Sequence, residues 1–340
     1  MSSTNNLWTD LPMSTGIATL VCYAGVFGDV MGIEEMAARL GATGNPQFYA
    51  SLDELHRQGR LILRDGFAAL PNLGDKICIK ASKIETTRQL IASRMADIKK
   101  LGTSPLIKFV GICGSLAANN PTKDRNNHLD LDIFLITRSQ CLWLYMISRG
   151  IRKLFSKREI EPALCINYVM DDLSLKVTNR NFYTATEIRN LIPVSGSDAY
   201  RRFLQANNWV DYYYPDFSGT TGENSLPSSG NLINKLSYIL YSILLSIKHL
   251  SLEPIRKLTL DKNPLRGIKF NRISQIYGGY QGLVITKFTR LATTWFPDLL
   301  DATLVEKLFP DQFSAGIRKG EIDVFKLMEE KLGYDYSKYA

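Results

Sequence analysis

Hydrophobic positions follow a helical rhythm at the start of the chain, a strand rhythm in the middle, and a helical rhythm again later. Ser14 to Val26 is apolar enough for a packed helix. Gly32 to Leu40 puts Ile33, Met36, Ala37 and Leu40 on one face, and the stretch from Pro46 to Arg57 does the same with Phe48, Leu52 and Leu55. Gly59 is placed to end that helix. LILRDGFAAL (61–70) then reads as two short strands around Asp65-Gly66, a strong hairpin pair. Three helices followed by a hairpin is the order of a winged helix, so residues 13–75 are expected to form a winged-helix-like module. Its third helix carries Asp53, Glu54, His56 and Arg57, and the hairpin region offers only Arg60 and Arg64. That face is not basic, which favours a docking module over a DNA reader. Residues 81–101 are predicted to form a connecting helix, with Lys83, Arg88, Arg94, Lys99 and Lys100 on a solvated face.

From Leu106 the period shortens. PLIKFVGIC (105–113) is strand-like, Gly114-Ser115 and a short helical stretch follow, and a polar loop (121–128) leads into LDLDIFLIT (129–137). CLWLYMISRGIRKLF (141–155) reads as a helix. ALCINYVM (163–170) and LSLKV (173–177) read as strands with Asp171-Asp172 at the turn between them. Helices are expected from Tyr183 to Leu191 and from Asp198 to Trp209, and the region 181–340 is expected to be mainly helical. Leu232 to Leu252 approaches membrane-span length. Polar residues interrupt it, and aliphatic residues at 233, 236, 240, 243, 247 and 250 step by three and four. That is the stripe of an amphipathic helix packed on one side, so no membrane span is expected.

Composition changes this picture little. The chain has 340 residues, 45% hydrophobic and 22% charged, the mixture of an ordinary globular protein with room for two or three domains. A net charge of +8 suits polyanionic ligands and equally a basic, well-mixed surface. Five cysteines without CxxC spacing fit a reducing compartment, and three histidines leave little material for zinc. The N-terminus lacks the pattern of a signal peptide, so a cytoplasmic protein is expected.

The chemistry is concentrated between residues 113 and 132. Residues two apart on a strand share a face, so Asp130 and Asp132 would present two carboxylates side by side. Such a pair repels itself unless a cation lies between its members, and hard oxygen ligands suit Mg²⁺. Gly114 lets the backbone approach a phosphate, and Ser115 adds a hydroxyl at the start of a helix. Together these parts would hold a nucleoside triphosphate and neutralise charge during displacement at phosphorus.

VGICGS followed by LDLDIFLIT resembles the Gly-Ser…Asp-x-Asp signature of the polymerase-β-like nucleotidyltransferase superfamily. Within it the chain resembles a poorly characterised bacterial group with an N-terminal winged-helix-like module. That likeness runs through GFAALP (66–71), GSLAANN (114–120), DLDIFLITR (130–138) with CLWL (141–144), CINY (165–168), FYTATEI (182–188) and AYRRFLQANNWV (199–210). The resemblance implies an α/β (α+β) fold: a mixed sheet with flanking helices as the transferase core at 103–180. It also implies two Mg²⁺ ions, with Mn²⁺ as the substitute, and transfer of a nucleoside monophosphate from an NTP with release of pyrophosphate. Carried over by position, Gly114 and Ser115 hold the triphosphate, and Asp130 and Asp132 bind metal. The superfamily usually has a third carboxylate on a later strand. Here that strand offers Asn167, an amide that ligates through oxygen but is no general base; Asp171 and Asp172 are the alternatives. The readings are therefore an ATP-type nucleotidyltransferase acting on a protein, RNA or small-molecule acceptor, or an inactive nucleotide-binding or DNA-binding regulator.

Other residues read more plainly. His128 reads as a loop histidine, and Arg138, Arg149, Arg152, Lys153, Lys157 and Arg158 as a solvated helix end and its surroundings. Arg201 and Arg202 read as surface salt links, and Tyr183, Trp209 and Tyr212 to Tyr214 as packing aromatics. Cys113 and Cys165 lie in apolar runs and read as inert core residues.

Overall fold

The computed structural model describes residues 6–122, 129–155, 164–217 and 278–310, plus short pieces between 232 and 274. It is a mixed α+β molecule. Three helices open it: α1 (Met13–Val26), α2 (Ile33–Arg39) and α3 (Pro46–Arg57). Helix α3 starts with Asn45, whose side chain accepts from the Gln47 N–H, and Pro46, whose missing N–H costs nothing in the first turn. The hairpin β2 (Ile62–Arg64) and β3 (Phe67–Ala69) closes through Asp65 and Gly66, both at positive φ, as a tight primed turn requires. A two-residue strand, β1 (Met31–Gly32), pairs antiparallel with β3 and makes a three-stranded sheet of order β1-β3-β2. Helix α4 (Ile77–Gly102) begins earlier than the predicted connecting helix and leads to the second sheet.

That sheet contains β4 (Ile107–Cys113), β5 (Leu131–Thr137), β6 (Leu164–Asp171), β7 (Ile192–Ser195), β8 (Ile268–Lys269) and β9 (Arg272–Ser274). Its order is β7-β4-β5-β6-β9-β8, with β5 and β6 parallel and the other pairs antiparallel. The parallel pair needs a crossover, and α5 to α8 are the helices of this half: α5 (Gly114–Ala117), α6 (Leu142–Phe155), α7 (Phe182–Asn190) and α8 (Ser197–Ala206). Helix α6 is the one between β5 and β6. Helices α9 (Gly278–Trp295) and α10 (Ala302–Leu308) complete the described chain.

Alternation along β5 divides the interior in two. Leu131, Ile133 and Leu135 enter a core with Ile98 of α4 and Leu142, Trp143 and Met146 of α6. Phe134 and Ile136 face the other way. They join the larger core, which runs without a break from α1 and α3 through Phe182 and Phe203 to Phe288 and Phe309. Residues 13–75 therefore share their core with the rest of the molecule.

Several expectations change. Residues 173–177 form no strand. Asn207 takes over their backbone groups, accepting from the Val177 N–H and donating to the Leu175 carbonyl, each at 2.8 Å. Beside its helices, the region 181–340 also contributes the short strands β7, β8 and β9. In the segment expected to pack as an amphipathic helix, residues 232, 235, 236, 239 and 240 are helical. Leu236 and Leu240 of its stripe are about half exposed, and Ile233, Ile243, Ile247 and Leu250 lie outside the described residues. No helix among the described residues is long and apolar enough to cross a membrane.

Candidate functional site

Strand β4 ends at Cys113, and the chain turns at Gly114 with φ +67. A side chain there would be strained and would also collide with the Asp132 carboxylate, whose Cγ lies 3.1 Å from the position of the added carbon. Glycine at 114 therefore lets the acidic strand end lie directly against the Gly-Ser turn. Two cross-links hold the described ends of the polar loop: Thr122 donates its hydroxyl to Ser115 Oγ at 3.1 Å, and Asp130 donates its N–H to the Thr122 carbonyl at 3.1 Å. His128, Lys157 and Arg158 lie outside the described residues, as do the side chains of Arg152 and Lys153.

Register brings the chemistry together. Asp132 pairs with Cys113 on β4 and with Cys165 on β6, so the three stand in a row across the sheet. The ladder slips between Ile133 and Phe134, where Ile166 and Tyr168 are the partners and Asn167 is the extra residue. Both Cys165 and Asn167 turn their side chains to Asp132 and hydrogen-bond to it. One ligand atom each from Asp130, Asp132 and Cys165 lies within 4.8 Å of the other two. Cys165 is thus a site residue, contrary to its reading as inert core. An apolar run conceals which face a cysteine takes, and only the strand register reveals its neighbour.

Glu187 on α7 is a second residue that the sequence reading missed. Its carboxylate accepts the Gly114 N–H, and it is close enough to Asp132 for the two charges to oppose each other. Neither Asp132 nor Glu187 ion-pairs with a lysine or arginine among the described residues. Burial, followed by the neighbouring Asp130, pushes the Asp132 carboxyl up to about 7 against the hydrogen bonds from Cys165 and Asn167. Burial, then Asp132, pushes Glu187 up to about 7 against the Gly114 N–H. Burial, then Asp132 and Asp130, raises the Cys165 thiol to about 11, with Arg149 on α6 opposing.

Asp171 and Asp172 do not join this site. Asp171 pairs with Thr137 at the far end of β5, five residues from Asp132, which is about 17 Å of strand. Its side chain accepts the Leu173 N–H. Asp172 is 3% exposed and clamped by Lys108 at 2.9 Å and Arg202 at 2.6 Å. Asp172 thus ties β4 and α8 to the end of β6, whereas Asp171 serves the local turn through backbone N–H groups. Arg202 is thus an anchor for Asp172, whereas Arg201 forms an exposed link to Asp198. Tyr213 and Tyr214 are core: Trp8 donates to the Tyr213 carbonyl, and the Tyr214 hydroxyl meets Thr186.

The opening helices reach the site through a buried ionic strut. Lys80 of α4 pairs with Asp29 just beyond α1 at 2.5 Å and donates to the Asn119 carbonyl at 3.1 Å. Lys83 donates to Asn120 Oδ1 at 2.7 Å, and the Asn120 amide donates to the Phe27 carbonyl. The segment following Ser115 is therefore pinned to the N-terminal helices. Compared with protein-family models, with curated proteins and with solved structures, the chain matches none.

Proposed function

We propose that the chain is a nucleotidyltransferase that moves a nucleoside monophosphate from an NTP, with ATP the expected donor, to a hydroxyl or amine of an acceptor. The observation that carries this reading is Asp132 lying against the positive-φ Gly114 turn at the ends of two adjacent strands, with the Asp130 carboxylate beside it. Asp130 and Asp132 would hold a divalent cation, Mg²⁺ or Mn²⁺, and the Ser115 hydroxyl with the turn's backbone would receive the triphosphate. When bound, the cation supplies charge neutralisation at the transferring phosphate. Cys165 and Asn167 orient Asp132, and Glu187 anchors the turn through the Gly114 N–H. Acceptor classes are a protein, an RNA end or a small molecule.

A second reading is a nucleotide-binding or DNA-binding regulator without turnover. Asn167 favours it, because an amide stands where a third carboxylate is expected and takes no proton from an acceptor. The DNA-binding form has less support. Arg57 is paired with Glu54, Arg60 with Asp298, and Arg64 donates to the Gly74 carbonyl. The deciding experiment incubates the protein with each α-labelled NTP, Mg²⁺ and a cell extract as acceptor source. Label transfer and pyrophosphate release that vanish in Asp130→Ala/Asp132→Ala support the enzyme. Nucleotide binding without turnover, lost in the same variant, supports the regulator.

A further inference from the structure

The donor set around Asp132 is not purely oxygen. Cys165 stands directly across the parallel ladder from Asp132, on the same face of the sheet. Its sulfur and the Asp130 and Asp132 oxygens all lie within 4.8 Å of one another. Two ligands of one tetrahedral Zn²⁺ ion, at roughly 2.3 Å for sulfur and 2.2 Å for oxygen, stand about 3.7 Å apart. Closing the side chains around an ion therefore takes movements of about 1 Å, within the reach of side-chain torsions.

Three further features agree. The Cys165 S–H already points into the cluster, bonded to Asp132. The Glu187 carboxylate accepts the Gly114 N–H beside Asp132, and neither acid ion-pairs with a lysine or arginine among the described residues. Three protein ligands on two strand ends leave the remaining positions to water or phosphate, the arrangement of a reactive rather than a closed structural site.

We infer that Cys165 is a ligand of the cation site, and that Asp130, Asp132 and Cys165 form a mixed oxygen–sulfur site for a borderline divalent ion such as Zn²⁺ or Co²⁺. The inference rests on the Asp130–Asp132 pair being a cation site, as in the proposed function, but not on nucleotide turnover. Binding forms a metal–sulfur bond and releases the thiol proton to solvent. Mg²⁺, which prefers oxygen, uses the carboxylates alone, so the sulfur lets Zn²⁺ compete with Mg²⁺ for the same position. Cys113 stands on the other side of Asp132 but is not in the triad; Cys22 is buried elsewhere and Cys78 is exposed on α4.

The test is a Co²⁺ titration of the full chain, read by absorbance. A sulfur-to-cobalt charge-transfer band in the near ultraviolet is expected, reversed by Zn²⁺ and unchanged in Cys78→Ala. Cys165→Ser should lose the band and bind Co²⁺ at least about 100-fold more weakly, beyond what loss of an outer-shell partner costs. Its Mn²⁺ affinity should stay within about threefold, because the carboxylates remain and Mn²⁺ prefers oxygen. Asp130→Asn/Asp132→Asn should lose both ions. Co²⁺ binding without the band in the wild-type protein overturns the inference, whatever the variants do. So does a band that survives Cys165→Ser, or equal loss of Co²⁺ and Mn²⁺ in that variant. Turnover of an NTP with no sulfur band sinks this inference alone. A sulfur band with no turnover sinks the transferase reading alone.

Discussion

Replacing Gly114 by alanine tests whether the acidic strand end leans on the Gly-Ser turn. Two costs add. An L-residue at φ +67 costs about 1–2 kcal/mol for the left-handed backbone. The new Cβ also takes the place of Asp132 Oδ2, with Asp132 Cγ at 3.1 Å and its Cβ at 3.2 Å, so the aspartate must leave its rotamer. A side chain forced off-rotamer costs about 0.5–1.5 kcal/mol, giving a total of about 1.5–3.5 kcal/mol. Gly44 is the control: its φ is +72 and nothing lies within 4 Å of an added Cβ, so Gly44→Ala carries the backbone cost alone. Urea midpoints of both variants, with Mn²⁺ titrations of each, separate the two effects. Gly114→Ala should be the less stable and bind Mn²⁺ at least about tenfold more weakly, about 1.4 kcal/mol. Gly44→Ala should bind Mn²⁺ as the wild type does. Equal midpoints and equal Mn²⁺ affinity would refute the contact between Asp132 and the turn.

Other consequences can be measured the same way. Asp132 and Glu187 both ionise near 7 in the folded chain, above the range of an unfolded carboxylate. Their contribution to stability is therefore full below about pH 4 and lost as pH rises through about 7. The cation-free protein should melt earlier at pH 8 than at pH 5.5, and Mn²⁺ should restore much of the difference at pH 8; a melting temperature indifferent to Mn²⁺ contradicts this. Breaking the buried strut with Lys80→Met leaves Asp29, among the described residues, with Lys83 alone at 3.8 Å and should cost about 3 kcal/mol, while Asp29→Leu/Lys80→Met should recover part of it in the same urea assay. Asp172→Asn removes the anion held by Lys108 and Arg202, both more than a third exposed, and should cost about 1–3 kcal/mol while leaving Mn²⁺ affinity unchanged. Loss of Mn²⁺ binding in that variant would place Asp172 in the site after all.

Much of the layout was legible because it is local. Asp65-Gly66 marks the hairpin turn and Pro46 the start of α3, and the alternation in LDLDIFLIT marks β5 and the face of Asp132. The parts that were hidden depend on what packs across the chain. Cys165 sits in an apolar run, and only the β5–β6 register puts its sulfur beside two carboxylates. Glu187 looks like any polar residue of an amphipathic helix until α7 docks it on the Gly114 N–H. β7 escaped because Pro193 suppresses a strand reading, yet β7 ends the order of described strands, where proline is tolerated. LSLKV alternates like a strand but gives its backbone groups to Asn207, thirty residues further on. Asp171 and Asp172 were attractive by composition and fell away by register, since the far end of a seven-residue strand is out of reach.

The most direct test of the central claim is a crystal structure of the full chain with Mn²⁺ and a non-hydrolysable NTP, with the cation located by anomalous scattering. The account requires an anomalous peak between the Asp130 and Asp132 carboxylates, with the triphosphate over Gly114 and Ser115. A triphosphate bound elsewhere, or a peak absent from the Asp130–Asp132 pair while nucleotide is present, would contradict it.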